Sequence, residues 1–181
     1  MLALVAPETI ALVAVAARTI AGLVLLVAGL SKVIAVRRFV DAVWAYRLLP
    51  EAAVVVVGRA LPWAEVIVGV TVIFGILLPW SALGALGLYM LFGTAIAINV
   101  VRGRRNIDCG CFGSMRREHL TWWLVGRNSA LAGLAILGSN AIEPSATLAF
   151  SEMVAASLTA GAALAIWWLS LELRTLWRVP V

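Results

Sequence analysis

The chain has 181 residues, of which 64% are hydrophobic and only 13% charged, with a net charge of +5. Soluble domains carry roughly equal apolar and polar shares and about a quarter charged residues, so this composition excludes an ordinary soluble enzyme and points to a polytopic membrane protein. The positive charge sits beside apolar stretches, where topology and lipid headgroups account for it better than nucleic acid does.

Residues 10–31 are long enough to cross a bilayer, which takes roughly 20 residues for a 30 Å core. Ala14-Val15-Ala16 resembles a cleavage site, but no basic region precedes it, so a retained span is expected. Lys32 is expected to end that span. Val33 to Tyr46 then mixes Arg37, Arg38 and Asp41 with Val, Phe and Trp44, the pattern of a helix lying in the headgroup plane. Residues 52–78 form a second span, interrupted by Arg59 and Glu65 and kinked at Pro62. A chargeless turn, Leu78-Pro79-Trp80, leads to a third span over 81–101. Its Gly84, Gly87 and Gly93 are expected to let neighbouring helices come close.

The polar loop Arg102–Leu120 holds both cysteines of the chain, in Asp108-Cys109-Gly110-Cys111. A fourth span over 121–139 contains Arg127 and Asn128, and a fifth is expected over 146–171. The whole reads as one domain, residues 1–181: an all-α bundle of about five transmembrane helices with one interfacial helix.

Two thiols separated by one glycine can close on each other, because glycine adopts the tight backbone this needs. A ring so small is expected to be strained, labile and ready to exchange with other thiols, and it would add little as a staple. Arg102, Arg104, Arg105, Arg116 and Arg117 bracket the pair and favour the thiolate, while Asp108 opposes them. The same arginines also suit anionic lipid. Redox exchange, soft-metal handling such as copper(I), and an inert pair all remain open from the residues alone. A zinc site is poorly supported, since two sulfurs with His119 and Asp108 make no standard ligand set. His119 beside Glu118 is either a solvated loop residue or a base for a thiol.

Basic residues follow the cytoplasmic side of short loops. They collect around the first and third connections and in the tail, which places the amino terminus outside and the cysteine loop and carboxyl terminus in the cytoplasm of a bacterial inner membrane. Lys32, Glu65, Asn99, Arg127 and Asn128 then all fall in the inner half of the bilayer and can converge beneath the loop. Polar groups at that depth are functional candidates. Glu65 is expected to pair with Lys32 or Arg127, closing a polar pocket, unless both cations snorkel separately to the headgroups. Arg18, in the outer half, has no evident partner. Trp63, Trp122, Trp123 and Trp177 suit an interfacial belt, and Trp167 and Trp168 are better placed for a pocket.

Ala28-Gly29-Leu30-Ser31-Lys32, Tyr46-Arg47-Leu48-Leu49-Pro50, Leu61-Pro62-Trp63-Ala64-Glu65, Arg102-Gly103, Cys109-Gly110-Cys111-Phe112-Gly113 and Val125-Gly126-Arg127-Asn128 together resemble the methylamine utilisation protein MauE family, within a wider DoxX-like group of small redox-associated membrane proteins. The resemblance covers most of the chain. It implies a compact helical bundle that works with a thioredoxin-like partner on thiols or disulfides, in maturation of a client enzyme such as methylamine dehydrogenase. Cys109 and Cys111 would cycle between dithiol and disulfide, with a membrane quinone as a candidate electron carrier. A non-enzymatic metal carrier, or a structural subunit of a membrane complex, is the alternative.

Overall fold

The computed structural model describes residues 7–111 and 118–140, together with 155, 158, 159, 161, 162 and 166. Five helices follow in order: α1 (Pro7–Ile34), α2 (Val36–Tyr46), α3 (Glu51–Phe74), α4 (Trp80–Val101) and α5 (Trp122–Asn140). Among the described residues there is no strand, only one isolated antiparallel bridge between Asp108 and His119. The helices α1, α3 and α4 are long and apolar enough to cross a bilayer. Most of the fifth expected span lies outside the described residues; the six described positions there are helical.

Lys32 does not end the first span. It sits in the last turn of α1, which runs on to Ile34, and it is 1% exposed. A charge stops a span only where lipid would otherwise surround it; this one is enclosed by protein. The second span ends four residues early, at Phe74, because Gly75 takes a left-handed conformation and caps α3 through its N–H on Thr71 O and Val72 O. Pro62 lies inside α3. Helix α2 is amphipathic, burying Phe39 and Tyr46 while Arg37, Arg38, Asp41 and Trp44 stay exposed.

Helices approach most closely along α1 and α3. A Cβ added at Gly22 would stand 2.9 Å from Gly69 O, and one at Gly69 would stand 2.9 Å from Gly22 O. The two backbones therefore touch through a reciprocal glycine pair, and Gly29 makes the same kind of approach to Pro62 O. The expectation that the α4 glycines do this work is not met. Gly87 has nothing within 4 Å, and added carbons at Gly84 and Gly93 would make only ordinary contacts, at 3.4 and 3.5 Å. Small residues permit close approach but do not say which face is turned to a neighbour. Helix α4 instead presents Ala85 and Tyr89 to Ala21, Leu25, Val72, Leu131 and Ala135. Tyr89 donates its hydroxyl to Ala21 O at 2.6 Å and ties α4 to α1.

Candidate thiol site

The α4–α5 loop folds back over one end of the bundle. Cys109 N–H donates to Glu118 O at 2.8 Å, and Leu120 N–H donates to Arg105 O at 3.2 Å. Two further ties fix the loop to α2. The Tyr46 hydroxyl donates to Cys109 O at 3.0 Å. Burial, and next the Asp108 carboxylate, push the Tyr46 phenol well above its usual range, so it remains a donor. Arg104 forks onto the last carbonyls of α2, Ala45 O at 2.9 Å and Tyr46 O at 3.1 Å. Its charge there complements the carboxyl end of the helix. Gly110 has φ +66°, and an added Cβ would come within 2.9 Å of the Ala42 side chain. The residue between the cysteines is thus glycine on two counts, backbone conformation and lack of room.

Cys109 and Cys111 are joined as a disulfide. Their surroundings differ. Cys109 is 6% exposed and packs in an apolar cluster with Ile96, Val100, Leu120 and Leu124. Cys111 is half-buried and lines a cavity of about 20 Å³ whose other walls include Lys32, Glu65, Tyr89, Arg127 and Asn128. That volume suffices for about one water molecule. On the other side of the loop, Asp108 and Gly110 line a larger cleft of about 530 Å³ against Arg38, Asp41 and Ala42 of α2, with Glu118 and His119 on its rim. Gly110 thus faces the open cleft and Cys111 the small inner cavity, so the cysteine segment lies between the two.

Beneath Cys111, Lys32 Nζ donates to Glu65 Oε1 in a buried ion pair. The ammonium also faces the rings of Phe92, at 4.3 Å, and Phe39, at 5.1 Å, contacts that favour the cation. Glu65 is fully buried, and its second oxygen, Oε2, has no hydrogen-bond partner. Of the two partners expected for Glu65, Lys32 is the one found. Arg127 instead meets Glu118 at 3.3 Å, and Asn128 Nδ2 donates to Leu124 O at 2.8 Å.

Four of the five polar residues read from the sequence thus share the cavity wall, and Asn99 does not. Asn99 is fully buried, but its Oδ1 accepts from Arg104 at 3.2 Å and so braces the loop's anchor. Asp108 turns inward on its own loop, accepting from Gly110 N–H at 3.3 Å. His119 is exposed, as are Trp63, Trp122 and Trp123. Trp167, Trp168 and Trp177 lie outside the described residues. Sequence reasoning read Tyr46 only as part of a family motif and Arg104 only as one of five arginines beside the cysteines, and missed that both anchor the loop to α2. Their signal was a tyrosine on the apolar side of an otherwise charged helix and an arginine one turn past a span, both weak without the fold.

These features define a helical membrane protein whose sole cysteine pair closes a polar cavity at one end of the bundle. The sequence profile of the methylamine utilisation protein MauE family matches residues 10–141, and the chain belongs to that family. It is 37% identical over 158 residues to methylamine utilization protein MauE of Paracoccus denitrificans, covering 87% of this chain and 84% of the relative. The protein of the same name from Paracoccus versutus is 35% identical over 76% of this chain and 73% of its own length. That from Methylorubrum extorquens is 43% identical over 51% of this chain and 50% of its own. No solved structure matches the chain.

Proposed function

We propose that this protein is a membrane thiol–disulfide exchange factor for methylamine utilisation. Cys109 and Cys111 alternate between disulfide and dithiol in exchange with a thioredoxin-like protein, and thereby serve the maturation of a client enzyme such as methylamine dehydrogenase. The observation that carries this reading is a disulfide whose Cys111 lines a cavity with Lys32, Glu65 and Arg127, and whose intervening Gly110 lines an open cleft. A structural bridge would gain nothing from either, and one that closes so short a loop removes little unfolded-state entropy. The relatives' names supply the pathway. Charge asymmetry supports a cytoplasmic cysteine end, and labelling of intact cells with a membrane-impermeant thiol reagent checks this: labelling before lysis would move the partner to the outer face.

The exchange itself is tested by trapping. Membranes carrying Cys109→Ser or Cys111→Ser are quenched in acid and resolved without reductant. One of the two variants should accumulate a mixed disulfide with a soluble dithiol protein, because the resolving sulfur is gone. Absence of any adduct in both, together with a pair that stays in one oxidation state across thiol buffers, overturns the reading.

A further inference from the structure

The cavity beneath the disulfide treats the two sulfurs differently. Cys109 is buried within the apolar cluster of Ile96, Val100, Leu120 and Leu124, and the half-buried Cys111 packs against the edge of the same cluster. Cys111 shares its cavity with an ammonium held in place by a carboxylate and two aromatic rings. Glu65 uses only Oε1 on Lys32, and Oε2 is buried without a partner. A carboxylate oxygen left bare in a low-dielectric interior is costly. The cost is offset if that oxygen has a proton to accept.

We infer that Cys111 is the exchanging sulfur and that Glu65 and Lys32 manage its proton. The inference rests on the thiol-exchange reading above and assigns the roles within it. In the dithiol state, Cys111 S–H gives its proton through the one-water cavity to Glu65 Oε2, and Lys32 changes its anionic partner from carboxylate to thiolate. The transfer exchanges one anion for another beside Lys32, while Arg127, which also lines the cavity, keeps its partner Glu118, so no net charge is created inside the bundle. The Cys111 thiolate then attacks one sulfur of a partner disulfide, forming a mixed disulfide and releasing the other partner sulfur as a thiolate, which takes a proton. Cys109, its S–H proton passing to solvent, attacks Cys111 Sγ. This closes the 109–111 bond and releases the second partner thiolate, which is protonated in turn. The partner gains two electrons and two protons, and the cysteine pair loses the same; Glu65 gives up its proton to solvent as the cycle ends. Run backwards, the same steps let a partner dithiol reduce the pair, with attack on the half-buried Cys111 rather than on the enclosed Cys109.

The experiment follows alkylation of Cys111 by iodoacetamide against pH in the Cys109→Ser protein, in detergent, with no partner present. The readout is the pH of half-maximal rate, with Glu65→Gln and Lys32→Met added in turn. Removing the carboxylate leaves the ammonium to the sulfur and should move the midpoint down by about one unit; removing the ammonium should move it up by about one unit. Shifts of both variants in the same direction, or no shift in either, overturn the inference. Should the Glu65→Gln protein fail to accumulate, Lys32→Met with Glu65→Gln must have a lower midpoint than Lys32→Met alone, and equal midpoints overturn it. Because no partner enters the measurement, opposed shifts without any trapped adduct would keep this proton site and remove the exchange reading, whereas an adduct without opposed shifts would do the reverse.

Discussion

Helix α1 buries two cations, Arg18 and Lys32, roughly 20 Å apart at 1.5 Å per residue. Lys32 meets a carboxylate and two aromatic rings beside the cysteine loop. Among the described residues no carboxylate pairs with Arg18. Its guanidinium lies against Gly75, where an added Cβ would stand 2.7 Å from NH1, and its Cβ lies against Gly138. Gly75 caps the carboxyl end of α3, where the helix dipole presents partial negative charge. One cation is held by an ionisable group that can trade a proton; the other packs against glycines, with its Nε buried and without a hydrogen-bond partner. The difference separates a site from a strut.

Breaking the paired cation should show the largest effect. Glu65→Leu leaves a buried ammonium uncompensated and is expected to cost about 3–5 kcal/mol. Lys32→Met added to Glu65→Leu should recover most of that, and thermal unfolding of the purified proteins in detergent reads both. Additive losses would mean that the two residues do not act as a pair. Arg18→Met orphans no carboxylate, so it is expected to cost only about 1–2 kcal/mol in the same assay, from lost packing. A loss as large as that of Glu65→Leu would erase the contrast. The smallest effect is expected for Tyr46→Phe, which removes one hydrogen bond to the cysteine strand and about 1 kcal/mol. Its signature is faster proteolysis within the loop at nearly unchanged melting temperature.

Much of this contrast was legible in the sequence, and its limits are physical. Apolar length located the spans, and the depth of Lys32, Glu65, Arg127 and Asn128 placed them together. Depth alone did not choose between Lys32 and Arg127 as the partner of Glu65. That choice is made by the α1–α3 crossing, which brings Gly29 against Pro62 and Glu65. Asn99 lies at a similar depth on a face turned toward Arg104, and one-dimensional reading does not resolve faces in helices that are apolar all round. Lys32 read as a helix end because a lone charge in lipid is costly, a rule that fails once the charge is enclosed. Arg18 had no account for the corresponding reason: its neighbours, Gly75 and Gly138, are brought to it only by the fold.

The reciprocal contact of Gly22 with Gly69 reaches further than its own neighbourhood. Glu65 stands about one helical turn from Gly69 on α3, so the spacing of the two backbones at that crossing also sets how far a lysine must stretch. A single methyl group there would wedge α1 from α3 and act on the ion pair as a lever acts on a latch. Substitutions that never touch a sulfur can in this way change how readily it reacts.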